Sequence, residues 1–129
     1  MKHLLVVLFS FLCLSAYAQD GAQIEFKETT IDYGNAVVGE DDGIRHFEFK
    51  NTGNAPLLIT KVYSTCGCTV PKKPEGPIAP GETGVIEVKY DVSKKRKGPI
   101  RKTITVNSNA VNVEEGLVSL KIKGKVIVN

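Results

Sequence analysis

Apolar and polar residues alternate in short runs along most of this chain, and Gly, Pro and Asn clusters separate the runs. Gln23 to Lys27 reads as a first strand, with Ile24 and Phe26 on one face. Thr30 to Tyr33 reads as a second, stopped by Gly34-Asn35, and Gly39 to Gly43 as an acidic turn. Arg45 to Lys50 places Phe47 and Phe49 on the core side, and Asn51-Thr52-Gly53-Asn54 turns the chain. Leu57 to Ser64 is a strand with adjacent apolar residues, Leu57 and Leu58. Such a strand is either covered on both faces or bulged. A loop with two cysteines and several prolines follows. Pro80-Gly81 fits the centre of a type II turn.

Gly84 to Asp91 alternates again, with Ile86, Val88 and Tyr90 inward. Lys94 to Gly98 reads as a basic hairpin tip. Ile100, Ile104 and Val106 line the next strand. Leu117 to Val128 closes the chain with Val118, Leu120, Ile122, Val126 and Val128 on one face. Helical spacing is not sustained after the N-terminal segment. About seven strands at this spacing predict an all-β, immunoglobulin-like sandwich, with an open barrel as the alternative. A Cys–Trp–Cys core signature is absent, since the chain has no Trp.

The first 18 residues follow a different rule. Met1-Lys2-His3 is a positive start, Leu4 to Leu14 an apolar run, and Ala16-Tyr17-Ala18 a small-x-small cleavage site. These are the parts of a secretory signal peptide. The run is shorter than the roughly 20 apolar residues that span a bilayer, which sets the transmembrane-anchor reading second. Cys13 follows Leu12, not the small residue a lipoprotein signal needs, so it reads as an ordinary signal residue rather than a lipid anchor. The expected organisation is a cleaved segment, 1–18, and one sandwich domain, 19–129, exported to the periplasm or cell surface, where disulfides persist.

The 129-residue chain is long enough for one domain with its own core. Its formal charge is +3, and losing Lys2 with residues 1–18 leaves +2. A balance this mild gives no sign of a nucleic-acid partner. Aromatics at 7% argue against a large aromatic ligand cleft.

The chemistry-bearing stretch is "STCGCTVP", Ser64 to Pro71. Extended i and i+2 positions lie about 7 Å apart, whereas disulfides want roughly 4.4–6.8 Å between Cα atoms. A Cys66–Cys68 bond is therefore a strained, reducible one, with Gly67 as a source of the bend. It closes so short a loop that little stability follows. Free structural thiols are the second reading. Metal is the third: zinc needs four ligands, and the mature chain offers Cys66, Cys68 and one histidine, His46. Two thiolates suit Cu(I), but the only Met is the start residue, so no Met cluster supports copper handling. A nucleophilic thiol comes last, because only Lys61, Lys72 and Lys73 are available to lower its pKa.

The remaining motifs read as solvated surface. Lys94-Lys95-Arg96-Lys97 is basic but has no interleaved aromatic for base stacking. Glu40-Asp41-Asp42 and Glu114-Glu115 carry carboxylates suited to calcium, without a loop of alternating ligands. Exposed strand edges are a further route to partners, with the N-terminal and the final long strand as candidates.

Four segments, "FEFKNTGNAPLLITKVYSTCGCTVP", "PIAPGETGVIEVKYD", "KTITVNSN" and "LKIKGKV", occur in this order. Together, over about Ile24 to Val128, they resemble the bacterial family numbered 1573 among the domains of unknown function. That family is similar to hydin-type (ASH) and major-sperm-protein-like immunoglobulin modules. The resemblance implies an exported immunoglobulin-like fold and assigns no biochemical role. The functional expectation is a non-enzymatic exported module, without cofactor, that binds or scaffolds another envelope component. The alternative is a small thiol-redox or Cu(I)-binding protein acting through Cys66 and Cys68. A subunit of a surface assembly is a third reading.

Overall fold

The structure, a computed structural model, describes residues 20–129. The predicted signal peptide, 1–18, and Cys13 within it lie outside the described residues. Eight strands form two four-stranded sheets packed face to face. They are β1 (Ile24–Phe26), β2 (Thr30–Val37), β3 (Ile44–Asn51), β4 (Ile59–Ser64), β5 (Thr69–Lys72), β6 (Thr83–Tyr90), β7 (Gly98–Ser108) and β8 (Leu117–Ile127). One sheet has the order β1-β3-β6-β5, the other β2-β8-β7-β4. All pairs are antiparallel except β2 with β8. The β5–β6 and β7–β8 connections stay within a sheet, and the others cross between sheets.

Period-2 alternation builds the core. Phe47, Phe49, Ile86 and Val88 of one sheet and Ile104, Val106, Leu120, Ile122 and Val126 of the other are all buried. This is the sandwich that the alternation predicts, with one strand more.

The strand missed is β5. Pro71 sits within it and obscures the signal, because proline donates no ladder hydrogen bond. It is tolerated here because β5 pairs on one side only, with β6. β2 also runs further than expected. Gly34, at φ +64°, lies where the register with β8 shifts, between Asp32 and Asn35, so it marks an irregularity and not a stop. Gly124 faces this point, and a Cβ there would press on Gly34 and Tyr33.

Neither cover on both faces nor a bulge accounts for the Leu57-Leu58 pair itself: both residues precede β4, and burial alternates across them. Leu57 is fully buried, bridging to Ile78 ahead of the strand proper, while Leu58 is 43% exposed. The register then shifts between Ile59 and Lys61. Val128 is corrected: it lies past the end of β8 and is 41% exposed. The basic Lys94–Gly98 segment is also no hairpin tip. It joins β6 to β7 across the two sheets through a single 3-10 turn, Lys94–Arg96.

Two polar clusters fix the crossings. Asn51 is fully buried, and its side chain is fully used. Its Oδ1 accepts from the Gly53 and Gln23 N–H groups, at 2.9 and 3.3 Å. Its Nδ2 donates to the Ala55 and Ile78 carbonyls, at 2.8 and 2.9 Å. At the β2–β3 crossing, the Tyr33 hydroxyl donates to the Gly43 carbonyl at 2.7 Å, and Arg45 stacks 4.0 Å over the Tyr33 ring. Arg45 grips Asp41 with two hydrogen bonds, 2.8 and 3.0 Å. The expected type II turn is present: Gly81 has φ +84°, and the Glu82 N–H donates to the Ala79 carbonyl at 2.9 Å.

Candidate functional site

The Cys-Gly-Cys loop joins β4, an edge of one sheet, to β5, an edge of the other. It therefore closes one side of the sandwich. Cys66 and Cys68 are joined in a disulfide, with Cα atoms 5.3 Å apart. Gly67 between them does not adopt positive φ, and a Cβ there would stand in open space. The bend thus comes from ordinary backbone, not from glycine's special freedom.

The loop is anchored at both ends. The Cys66 N–H donates to Ser64 Oγ at 3.4 Å, and the Cys66 carbonyl accepts from the Thr69 N–H at 3.2 Å. The Cys68 carbonyl accepts from the Asp91 N–H at 2.9 Å. The two sulfur residues are unequal. Cys68 is 3% exposed and belongs to the core, whereas Cys66 is half-buried against it.

The other expected chemical residues lie apart. Lys61 is on β4 with its ammonium 4.8 Å over the Tyr63 ring. Lys72 and Lys73 line a shallow depression of about 330 Å³ on the outer face of the first sheet, together with His46, Pro74 and Glu87. His46 contacts Glu87 there at 3.4 Å. Among the described residues, no group of three or more His, Cys, Asp or Glu is placed to hold a metal ion. Once reduced, the Cys66–Cys68 pair would offer two thiolates to Cu(I).

The acidic turn has a structural task instead. Asp41 Oδ1 also accepts from the Gly43 N–H at 2.8 Å, and Asp42 Oδ1 from the Ile44 N–H at 2.9 Å. The Arg45 hydrogen bonds hold the Asp41 carboxyl below its ordinary range and raise Arg45 in turn. Burial, partly offset by Arg45, pushes Tyr33 up to about 12. Glu114 and Glu115 lie in a 3-10 turn before β8.

The free edges differ from expectation in one respect. β1 is an edge strand, but the long final strand, β8, is central, lying between β2 and β7. The edges are β1 and β5 in one sheet and β2 and β4 in the other. Of these, β5 carries the most exposed large apolar side chain of the described residues, Val70 at 61%. The β-branched pair Thr69-Val70, directly after Cys68, is the one sequence signal that points to this strand.

The family described as "Protein of unknown function (DUF1573)" matches residues 24–126, and the chain belongs to that family. No curated protein matches the chain. Among solved structures, a protein of unknown function from Porphyromonas gingivalis W83 is similar with TM-score 0.70 at 18% identity, covering 86% of this chain and 50% of its own. The chain thus spans half the length of that protein. The ASH/PapD-like domain 7 of human CEP192 is similar with TM-score 0.62 at 12% identity, covering 94% of this chain and 96% of its own. The YadV chaperone is similar with TM-score 0.59 at 16% identity, covering 80% and 51%. At these identities the likeness is one of fold.

Proposed function

We propose that this DUF1573 protein is an exported, non-enzymatic immunoglobulin-like module that binds a protein of the cell envelope by strand addition at the β5 edge. The observation that carries the reading is Val70, 61% exposed on a strand paired on one side only. A partner strand laid along β5 would cover Val70 and donate to the outward carbonyls of Thr69 and Pro71; β5 gives no N–H in return, since Pro71 has none and the Thr69 N–H is held by the Cys66 carbonyl. The disulfide immediately before β5 limits how far that edge can move. The likeness to a protein named as a chaperone supports a protein-binding role. No nucleic acid, cofactor or membrane-spanning segment enters the reading; among the described residues no helix is long and apolar enough to cross a membrane.

Affinity capture from envelope extract tests it, using the wild type, Val70→Lys and Val70→Asp side by side. A partner retained by the wild type and lost by both variants is expected. Capture of nothing, or equal capture by all three, overturns the reading.

The inequality of the two cysteines favours a second reading, in thiol exchange. A dithiol reductant would attack the more exposed Cys66 Sγ, forming a mixed disulfide and releasing the Cys68 thiolate, which takes up a proton. The second thiol of the reductant would then displace Cys66, leaving the reductant oxidised and both cysteines reduced. Alkylation and mass measurement after equilibration in glutathione buffers tests this. A pair that stays oxidised at every cellular glutathione ratio rules it out.

A further inference from the structure

We propose that the outer face of the β2-β8-β7-β4 sheet binds an acidic polysaccharide, with Arg101, Lys121 and Lys123 holding one of its anionic groups. This surface is separate from the β5 edge and does not depend on it.

On β8, residues 121, 123 and 125 are all Lys, all exposed and all on the outer face. Strand geometry spaces them about 6.7 Å apart. Lys121 lies between Thr30 of β2 and Thr103 of β7, and Lys123 between Asp32 and Arg101. Arg101 directly opposite Lys123 is a like-charge pair, an arrangement that destabilises a sheet. Asp32, opposite Lys123, makes no ion pair: its Oδ1 accepts from the Gly34 N–H at 2.8 Å. The ion pairs among the described residues are Arg45–Asp41, His46–Glu87 and Arg96–Asp91, none of them on this face.

The other sheet answers its cations with acids. On its outer face, Lys50 faces Glu25, and Glu87 faces both His46 and Lys72. On the β2-β8-β7-β4 face the register sets a single acid, Asp32, against Arg101, Lys121, Lys123 and Lys125, so that face keeps the larger excess of positive charge. Lys121, Lys123, Arg101, Thr30 and Thr103 line a depression of about 330 Å³, wide enough for a sulfate, phosphate or carboxylate group. Three cations and two hydroxyl groups converging on one hollow are the donors an oxyanion needs. The basic Lys94–Arg96 turn packs against β8 and extends the positive surface beyond Lys125.

The rest of the face selects the polymer. Thr105 and Ser119 sit opposite one another beyond Thr103, adding hydroxyl groups suited to sugars. The one aromatic ring on this face, Tyr63, is exposed beneath the Lys61 ammonium and stands outside the Arg101–Lys121–Lys123 hollow, so no series of rings follows the cations as a stacking platform for nucleobases. No large apolar side chain stands among the cations to enter a bilayer.

The test measures binding of the purified protein to heparin and polygalacturonate, beside phosphatidylglycerol vesicles and single-stranded DNA, all at 0.15 M salt as on the order of physiological strength. Arg101→Ser/Lys121→Ser/Lys123→Ser is compared with Lys50→Ser/Lys89→Ser on the opposite sheet. The expected result is glycan binding that weakens at least about tenfold in the triple variant and less than about twofold in the control. Lys121→Glu alone, with an expected loss of several-fold, carries the test if the triple variant fails to fold. Three outcomes overturn the proposal. They are no glycan binding, equal losses in both sets of variants, and tighter binding to vesicles or DNA than to either glycan.

Discussion

Two turns between sheets make an instructive contrast. The Cys66–Cys68 loop joins β4 to β5, and the Asp41–Gly43 turn joins β2 to β3. The first holds the conspicuous sequence motif, yet its glycine is exposed with open space around it. The second reads as a solvated acidic stretch. Its Gly43 has φ +76°, and any Cβ there would overlap the Tyr90 carbonyl oxygen. Around it close Tyr33, Asp41 and Arg45. Conspicuous residues and structurally committed residues are thus different sets. The disulfide restrains few residues, whereas the partly buried polar clasp joins three strands.

Substitutions that exchange the two loops' constraints would break or sharpen this contrast. The largest effect is expected from Gly43→Ala. Positive φ and overlap with Tyr90 together should cost about 2–5 kcal/mol in denaturant unfolding. A loss below about 1 kcal/mol would mean that the clasp yields easily.

Next comes alkaline pH. Tyr33 titrates near 12 in the fold and near 10 when unfolded, so the unfolded chain releases its proton first. The stability that neutral Tyr33 contributes is complete below pH 10 and is lost as pH rises towards 12, about 2–3 kcal/mol in all. Unfolding curves of wild type and Tyr33→Phe across this window should converge as pH rises. Parallel curves would remove Tyr33 as the cause.

A smaller loss, about 1–2 kcal/mol, is expected from Cys66→Ser/Cys68→Ser, because the closed loop is so short. A shift in thermal midpoint as large as that of Gly43→Ala would overturn the ranking of the two loops. The smallest effect belongs to Gly67→Ala, within about 0.5 kcal/mol of wild type. A marked loss there would give the motif's glycine a backbone role that its conformation does not require.

Much of the fold was legible because burial on one side of a strand forces period-2 spacing. Phe47 and Phe49, Ile86, Val88 and Tyr90, and Leu120, Ile122 and Val126 announce their strands this way. Strand β5 escaped because four residues with an internal proline carry too little pattern. The Asn51 turn was recognised, but not its buried side chain, since a surface turn and a fully bonded polar hub share the same Asn-x-Gly spelling. At the candidate site, the cysteine pair was legible from spacing. The exposed Val70 edge was not, because which strands lie outermost depends on pairing between distant segments. The assignment of β8 as an edge fails for that reason.

By itself the sequence determined the all-β class, the inward-facing residues of most strands, the type II turn at Pro80-Gly81 and the proximity of Cys66 to Cys68. Each is a local matter of alternation, turn chemistry or chain reach. Only the tertiary structure decided which strands became neighbours. It placed β8 between β2 and β7, left β5 open on one side, and aligned Lys121, Lys123 and Arg101 on one face. Pairing among segments tens of residues apart is set by how two whole sheets cover each other, and no local pattern records it.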